Sequence, residues 1–123
     1  MDGVAQVLLD GDRVVVRLGA LERLLALRRR DVVVEAGSVV LANATREPMV
    51  AARGMWWPGY YLAGVLAVGT WHWGGGRDFL ALWPTVGPAL VLDLRDGEFA
   101  RVVVSCPGMG DAETLAALLR PRR

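Results

Sequence analysis

Short apolar runs alternate with polar or glycine-rich breaks along most of the chain. Ala5 to Leu9 is apolar, Asp10-Gly11-Asp12 interrupts it, and Val14-Val15-Val16 follows. Asp-Gly between β-rich segments predicts a hairpin, because both residues tolerate the left-handed backbone of a tight turn. Leu21, Leu24 and Leu25 recur at i, i+3, i+4, which predicts one or two turns of helix or a wide connection, ended by Arg28-Arg29-Arg30-Asp31. Val32-Val33-Val34 predicts a third strand and Val39-Val40-Leu41 a fourth, separated by a turn at Ala36-Gly37-Ser38. Asn43 to Gly59 holds Pro48, Gly54, Pro58 and Gly59 and reads as a loop.

The second half continues in the same way. Tyr60 to Trp73 reads as one long fifth strand with glycine bends, and Gly74-Gly75-Gly76 as a turn. Asp78 to Trp83, Ala89 to Leu94 and Phe99 to Cys106 predict three more strands, with turns at Pro84–Pro88 and Arg95-Asp96-Gly97. After Pro107-Gly108-Met109-Gly110, Asp111 is a candidate N-cap. Ala112, Leu115, Ala116 and Leu119 then form an amphipathic stripe over a helix of about residues 111–120, stopped by Pro121. The expected architecture is one mainly β domain over residues 1–123, with about seven strands and a C-terminal α-helix capping one end.

Composition narrows the function classes. The 123 residues are 54% hydrophobic, enough for a real core. All 14 basic residues are arginine, against 13 acids, and the abundance of Ala, Gly, Val and Arg suggests a GC-rich bacterial coding sequence. A formal charge of +1 supplies no long-range field for nucleic acid and little repulsion between copies. Cys106 is the single cysteine, which points to a reducing compartment, and Asp2 without a basic, then apolar, leader predicts no secretory signal. A cytoplasmic protein is expected, with membrane association as the alternative.

No charged residue falls between Arg53 and Arg77, and tryptophans flank that stretch. Its apolar centre, Tyr60 to Thr70, would reach only ~17 Å as a helix against ~30 Å of hydrocarbon, so a strand is the expected form.

The strand succession, the wide early connection and the single terminal helix resemble the bacterial pleckstrin-homology-like barrel. Leu24-Leu25-Ala26-Leu27-Arg28-Arg29, the Pro58-Gly59 to Gly69-Thr70 region, Asp78-Phe79-Leu80-Ala81, and Arg101 to Leu119 carry the likeness. The resemblance implies a closed barrel. Phosphoinositide-binding members cluster basic residues at the first hairpin, whereas Asp10-Gly11-Asp12-Arg13 is mostly acidic here.

Candidate chemistry is sparse. His72 and Cys106 are each the only residue of their kind, so neither zinc spacing nor a linked nucleophile and base is readable. Gly74-Gly75-Gly76-Arg77 lacks the Lys-Ser/Thr ending of a phosphate loop. No catalytic residue, metal or cofactor is expected.

Two patches remain. Arg28, Arg29 and Arg30 form the densest basic run, able to grip carboxylates or phosphates, with pairing to Glu22 and Asp31 as the plainer reading. Whether Arg23, Arg120, Arg122 and Arg123 lie near it the sequence leaves open. Met55, Trp56 and Trp57 sit in the Pro/Gly-rich segment, where two adjacent tryptophans do not easily both bury. The expected function is a non-enzymatic binding or assembly module that meets a protein partner or a second copy through these residues. The alternative is an anionic membrane surface, with the aromatics inserting and the arginines facing headgroups.

Overall fold

The computed structural model describes residues 5–121. Asp2, Arg122 and Arg123 lie outside the described residues. The fold is mainly β, in two sheets with one C-terminal helix. The first sheet is an antiparallel run of β1 (Gln6–Asp10), β2 (Arg13–Arg17) and β3 (Val32–Glu35). Short helix α1 (Ala20–Leu25) lies between β2 and β3. Val14, Val16, Val32 and Val34 alternate inward from this sheet, as period-two patterning requires.

The second sheet contains β4 (Val39–Thr45), β5 (Met55–Leu62), β6 (Leu66–Trp73), β7 (Gly76–Leu82), β8 (Ala89–Leu94) and β9 (Arg101–Ser105). Their order across the sheet is β4-β8-β9-β7-β6-β5. Neighbours are antiparallel except β7 and β9, which run parallel. The two sheets are not closed into a barrel, and β5 and β4 are free edges of the larger one.

Several local expectations are corrected. The stretch from Tyr60 to Trp73 is a hairpin rather than one strand, because Gly64, at φ +79°, turns the chain between Leu62 and Leu66. The Asn43–Gly59 stretch is not a loop throughout. Strand β4 runs on to Thr45, a 3-10 turn covers Pro48–Ala51, and β5 begins at Met55. Trp56 and Trp57 therefore lie in a strand. Helix α2 spans Met109–Leu119 with Gly108 as N-cap, which puts Asp111 inside the first turn.

The main core lies between the two sheets. Leu66, Val68, Phe79, Ala81, Leu90, Leu92, Val102 and Val104 face Val14, Val16, Val32 and Val34 there, with Ala116 and Leu119 of α2. A second, smaller core lies on the opposite face of the six-stranded sheet, where Ala67, Trp71, Leu80, Leu82, Ala89 and Val103 pack under Met49, Ala51 and Ala52. The central strands are thus covered on both sides and read as unbroken apolar runs.

The segment over the second core is pinned by two arginines. Arg53 donates to both carboxylate oxygens of Asp78, at 2.7 and 2.8 Å, and Trp73 Nε1 donates to the same carboxylate at 2.9 Å. Asp78 is 0% exposed, so these three bonds offset the hydration it has lost. The Arg53 guanidinium also lies 3.9 Å from the Trp73 ring centre. Arg101 bonds Asp93 at 2.5 Å and the Ala51 carbonyl at 3.0 Å. Together these contacts place the lead-in to β5.

Candidate functional site

Among the described residues, strand β5 pairs only with β6 and its outer edge is open. Trp56 stands opposite Trp71 and Tyr61 opposite Ala67, so both aromatics face the second core. Trp56 packs 5.3 Å from Tyr61 and 6.1 Å from Trp71, centre to centre, which keeps its ring only partly accessible. Met55, Tyr60 and Leu62 stand opposite His72, Val68 and Leu66 and so point to the other face, where all three are exposed.

Trp57 occupies an irregularity between Trp56 and Gly59, where β5 carries an extra residue. Its carbonyl accepts from His72 Nε2 at 2.6 Å, and its side chain is 70% exposed. Of the adjacent tryptophans, one therefore joins a packed cluster and the other stands free. Close approach of the two strands requires glycine here. A Cβ on Gly69 would lie 2.4 Å from both Gly59 Cα and the Pro58 carbonyl oxygen.

Helix α1 lies against β5 and β6, on the side of the sheet where Leu66 and Val68 meet Leu18 and Ala26. Met55, Tyr60 and Leu62 therefore share a side with α1. The orientation of the helix departs from its leucine stripe. Glu22 is buried, Leu25 packs on the core, and Leu21, Leu24 and the following Leu27 are exposed. Polar contacts hold this rotation. Glu22 Oε1 accepts from the Gly19 amide at 3.0 Å, half of a capping box. Arg23 bonds Asp31 Oδ1 at 2.5 Å, the Leu18 carbonyl at 3.2 Å and the Arg29 carbonyl, while Asp31 also accepts from the Leu18 amide at 3.0 Å. Glu22 Oε2 has no partner among the described residues. Burial pushes the Glu22 carboxyl above its usual pKa, against the pull of the Gly19 and Ala5 amides.

The arginine run divides in two. Arg28 is occupied: it grips Glu98 through two bonds of 2.9 and 3.0 Å and lies 5.4 Å over the Phe99 ring. That guanidinium holds the Glu98 carboxyl below the usual range. Arg28 thus ties the end of the α1 segment to the loop before β9. Arg29 and Arg30 are exposed, and among the described residues no carboxylate pairs with either. A groove of about 480 Å³ opens between Leu24, Leu27 and the stems of Arg23, Arg28 and Arg29.

The exposed residues on this side include Met55, Trp57, Arg29 and Arg30, which the sequence singles out, and Leu21, Leu24, Leu27, Tyr60 and Leu62, which it does not. The available signal was Glu22 at the third helical position after Gly19, where a carboxylate reaches back to the cap and rotates the leucines outward.

His72 and Cys106 lie at opposite ends of the sheet. His72 pairs with Arg77 at the start of β7, whereas Cys106 follows β9 beyond the Ala81–Val104 pair, a separation of roughly 15–20 Å along the strands. Burial, with Asp111 nearby, raises the Cys106 thiol above its usual pKa. Among the described residues, no three His, Cys, Asp or Glu side chains gather as a metal site needs, and no helix is long and apolar enough to cross a membrane. Compared with protein-family models, curated proteins and solved structures, the chain finds no match.

Proposed function

We propose that the protein is a non-enzymatic binding or assembly module that docks through the side of β5 and α1. The carrying observation is the inverted helix. An acidic side chain is buried and leucines are exposed, a conflict between local pattern and fold of the kind that marks functional surfaces. With Met55, Trp57, Tyr60 and Leu62, these leucines bring seven large apolar or aromatic residues, each 41% to 70% exposed, onto two neighbouring elements, where a monomer's exposed apolar residues are ordinarily scattered singly. In architecture, the proposal keeps the pleckstrin-homology-like likeness: successive strands and a terminal helix over the sheet support it, and the parallel β7–β9 pair counts against it.

The second reading is an anionic membrane surface, favoured by Arg29 and Arg30 beside the exposed leucines. Occupancy of the face is tested by peroxide footprinting of Met55, a residue 70% exposed in the isolated chain. Met55 oxidises readily in dilute purified protein and is expected to be protected in cells that make it. Equal oxidation in both settings refutes the docking reading.

A further inference from the structure

We infer that the occupant of this face is a second copy of the chain, in a two-fold dimer that packs α1 and the outer side of β5 against their counterparts. This rests on the docking reading above and names its partner. Area is the first argument. A stable interface takes about 800 Å² from each partner, and the exposed leucines with Met55, Trp57 and Tyr60 supply the apolar centre such an area needs. Shape is the second. A two-fold contact uses one patch on both copies, so the patch must hold a recess as well as a projection. Here the groove of about 480 Å³ beside Leu24 and Leu27 is the recess, and the Trp57 ring on β5 is the projection. An indole entering that groove meets leucine side chains and the exposed Arg29, a favourable cation–π setting.

Charge counts against an anionic bilayer or nucleic acid as the occupant. Among the described residues, Asp31 and Glu98 pair with Arg23 and Arg28, which leaves Arg29, Arg30 and the neighbouring Arg77 without a salt-bridge partner. Binding to an anionic bilayer or to nucleic acid scales with the number of such cations, and these fall short of the roughly four to eight that make a lipid-binding cluster. Two copies at +1 each repel only weakly. The contact runs through side chains rather than a shared ladder. Pro58 has no amide hydrogen to offer along the open edge of β5, the usual device that keeps edge strands from pairing.

Sedimentation velocity of the purified chain from roughly 1 to 200 µM tests the proposal. The wild type is expected to pass from one chain to two. Leu24→Glu and Met55→Glu, both at exposed positions, are each expected to weaken the dimer at least tenfold while circular dichroism stays unchanged. Leu118→Glu, equally exposed on α2, is expected to leave it intact. A wild type that stays a single chain throughout overturns the dimer. So does a dimer that survives both face variants. If the single chain pellets with phosphatidylglycerol vesicles, the dimer is overturned and the face belongs to the membrane. If Met55 is protected in cells while the purified chain stays single, the dimer fails and the docking reading stands. If Met55 is unprotected as well, both fail.

Discussion

Removing the Asp78 carboxylate is expected to be among the most damaging single changes outside the apolar core. Asp78 is completely buried and accepts three charge-assisted or indole hydrogen bonds, two from Arg53 and one from Trp73. Asp78→Ala leaves the guanidinium partly buried without its counter-ion and the indole N–H without an acceptor. Breaking a buried pair by deleting one partner costs about 3–5 kcal/mol, most of it from the charge left behind. With an unfolding entropy near 2.1 cal/mol/K per residue, that loss lowers the Tm of a chain this size by roughly 12–20 °C. The comparison that isolates the cause is Arg53→Met with Asp78→Leu, which removes both charges and is expected to recover more than half of the loss. Differential scanning calorimetry reads both effects. Hydrogen exchange is expected to accelerate most at Ala52 to Met55 in the single variant, because Arg53 holds the lead-in to β5. A Tm drop under about 4 °C for Asp78→Ala, or a double variant no better than the single one, would refute this account of how the segment is held.

Other outcomes follow from the same contacts. Glu22→Gln keeps the acceptor for the Gly19 amide and removes the buried charge, so it is expected to stabilise the fold by about 1 kcal/mol at neutral pH. The folded Glu22 carboxyl titrates above its unfolded value of 4.5, so the folded state holds the extra proton in that window and wild-type stability falls as pH rises through it. Urea midpoints should show the Glu22→Gln advantage shrinking as pH falls toward 4.5. Gly69→Ala places a Cβ against the Gly59 and Pro58 backbone at a φ of +139° and is expected to cost roughly 2–4 kcal/mol, read as a loss of urea midpoint with increased exchange in β5. Cys106, half-buried with its thiol pKa raised, is expected to react with a thiol reagent at neutral pH far more slowly than after denaturation.

The strands most legible in the sequence are those whose pattern has one cause. Val14 to Val16 and Val32 to Val34 alternate because one face of their sheet is covered, and Asp10-Gly11-Asp12 turns because glycine at φ +59° is free to do so. The β5–β6 hairpin was hidden because its turn, Ala63-Gly64-Val65, is apolar around a single glycine and carries no polar marker. Pairing was less readable still. Nothing local in Arg101 to Ser105 says that this strand lies parallel to β7, since hydrogen bonds between strands leave no trace in either one's composition. The candidate face was half visible. Exposure in the Met55–Trp57 segment is readable because two adjacent tryptophans do not easily both bury, but Arg28 finds Glu98 seventy residues away, a partner no spacing rule reaches.

The position of β9 bears on how the chain is made. It lies between β8 and β7, so the chain passes over an empty lane and fills it only with the segment Arg101–Ser105. Until that segment has left the ribosome, β5-β6-β7 and β4-β8 are separate ribbons with Phe79, Leu80, Leu90 and Leu92 still uncovered at the gap. Synthesis therefore extrudes most of the apolar residues before the two ribbons can join into one sheet, and surface left uncovered in this way is what makes folding intermediates prone to aggregate.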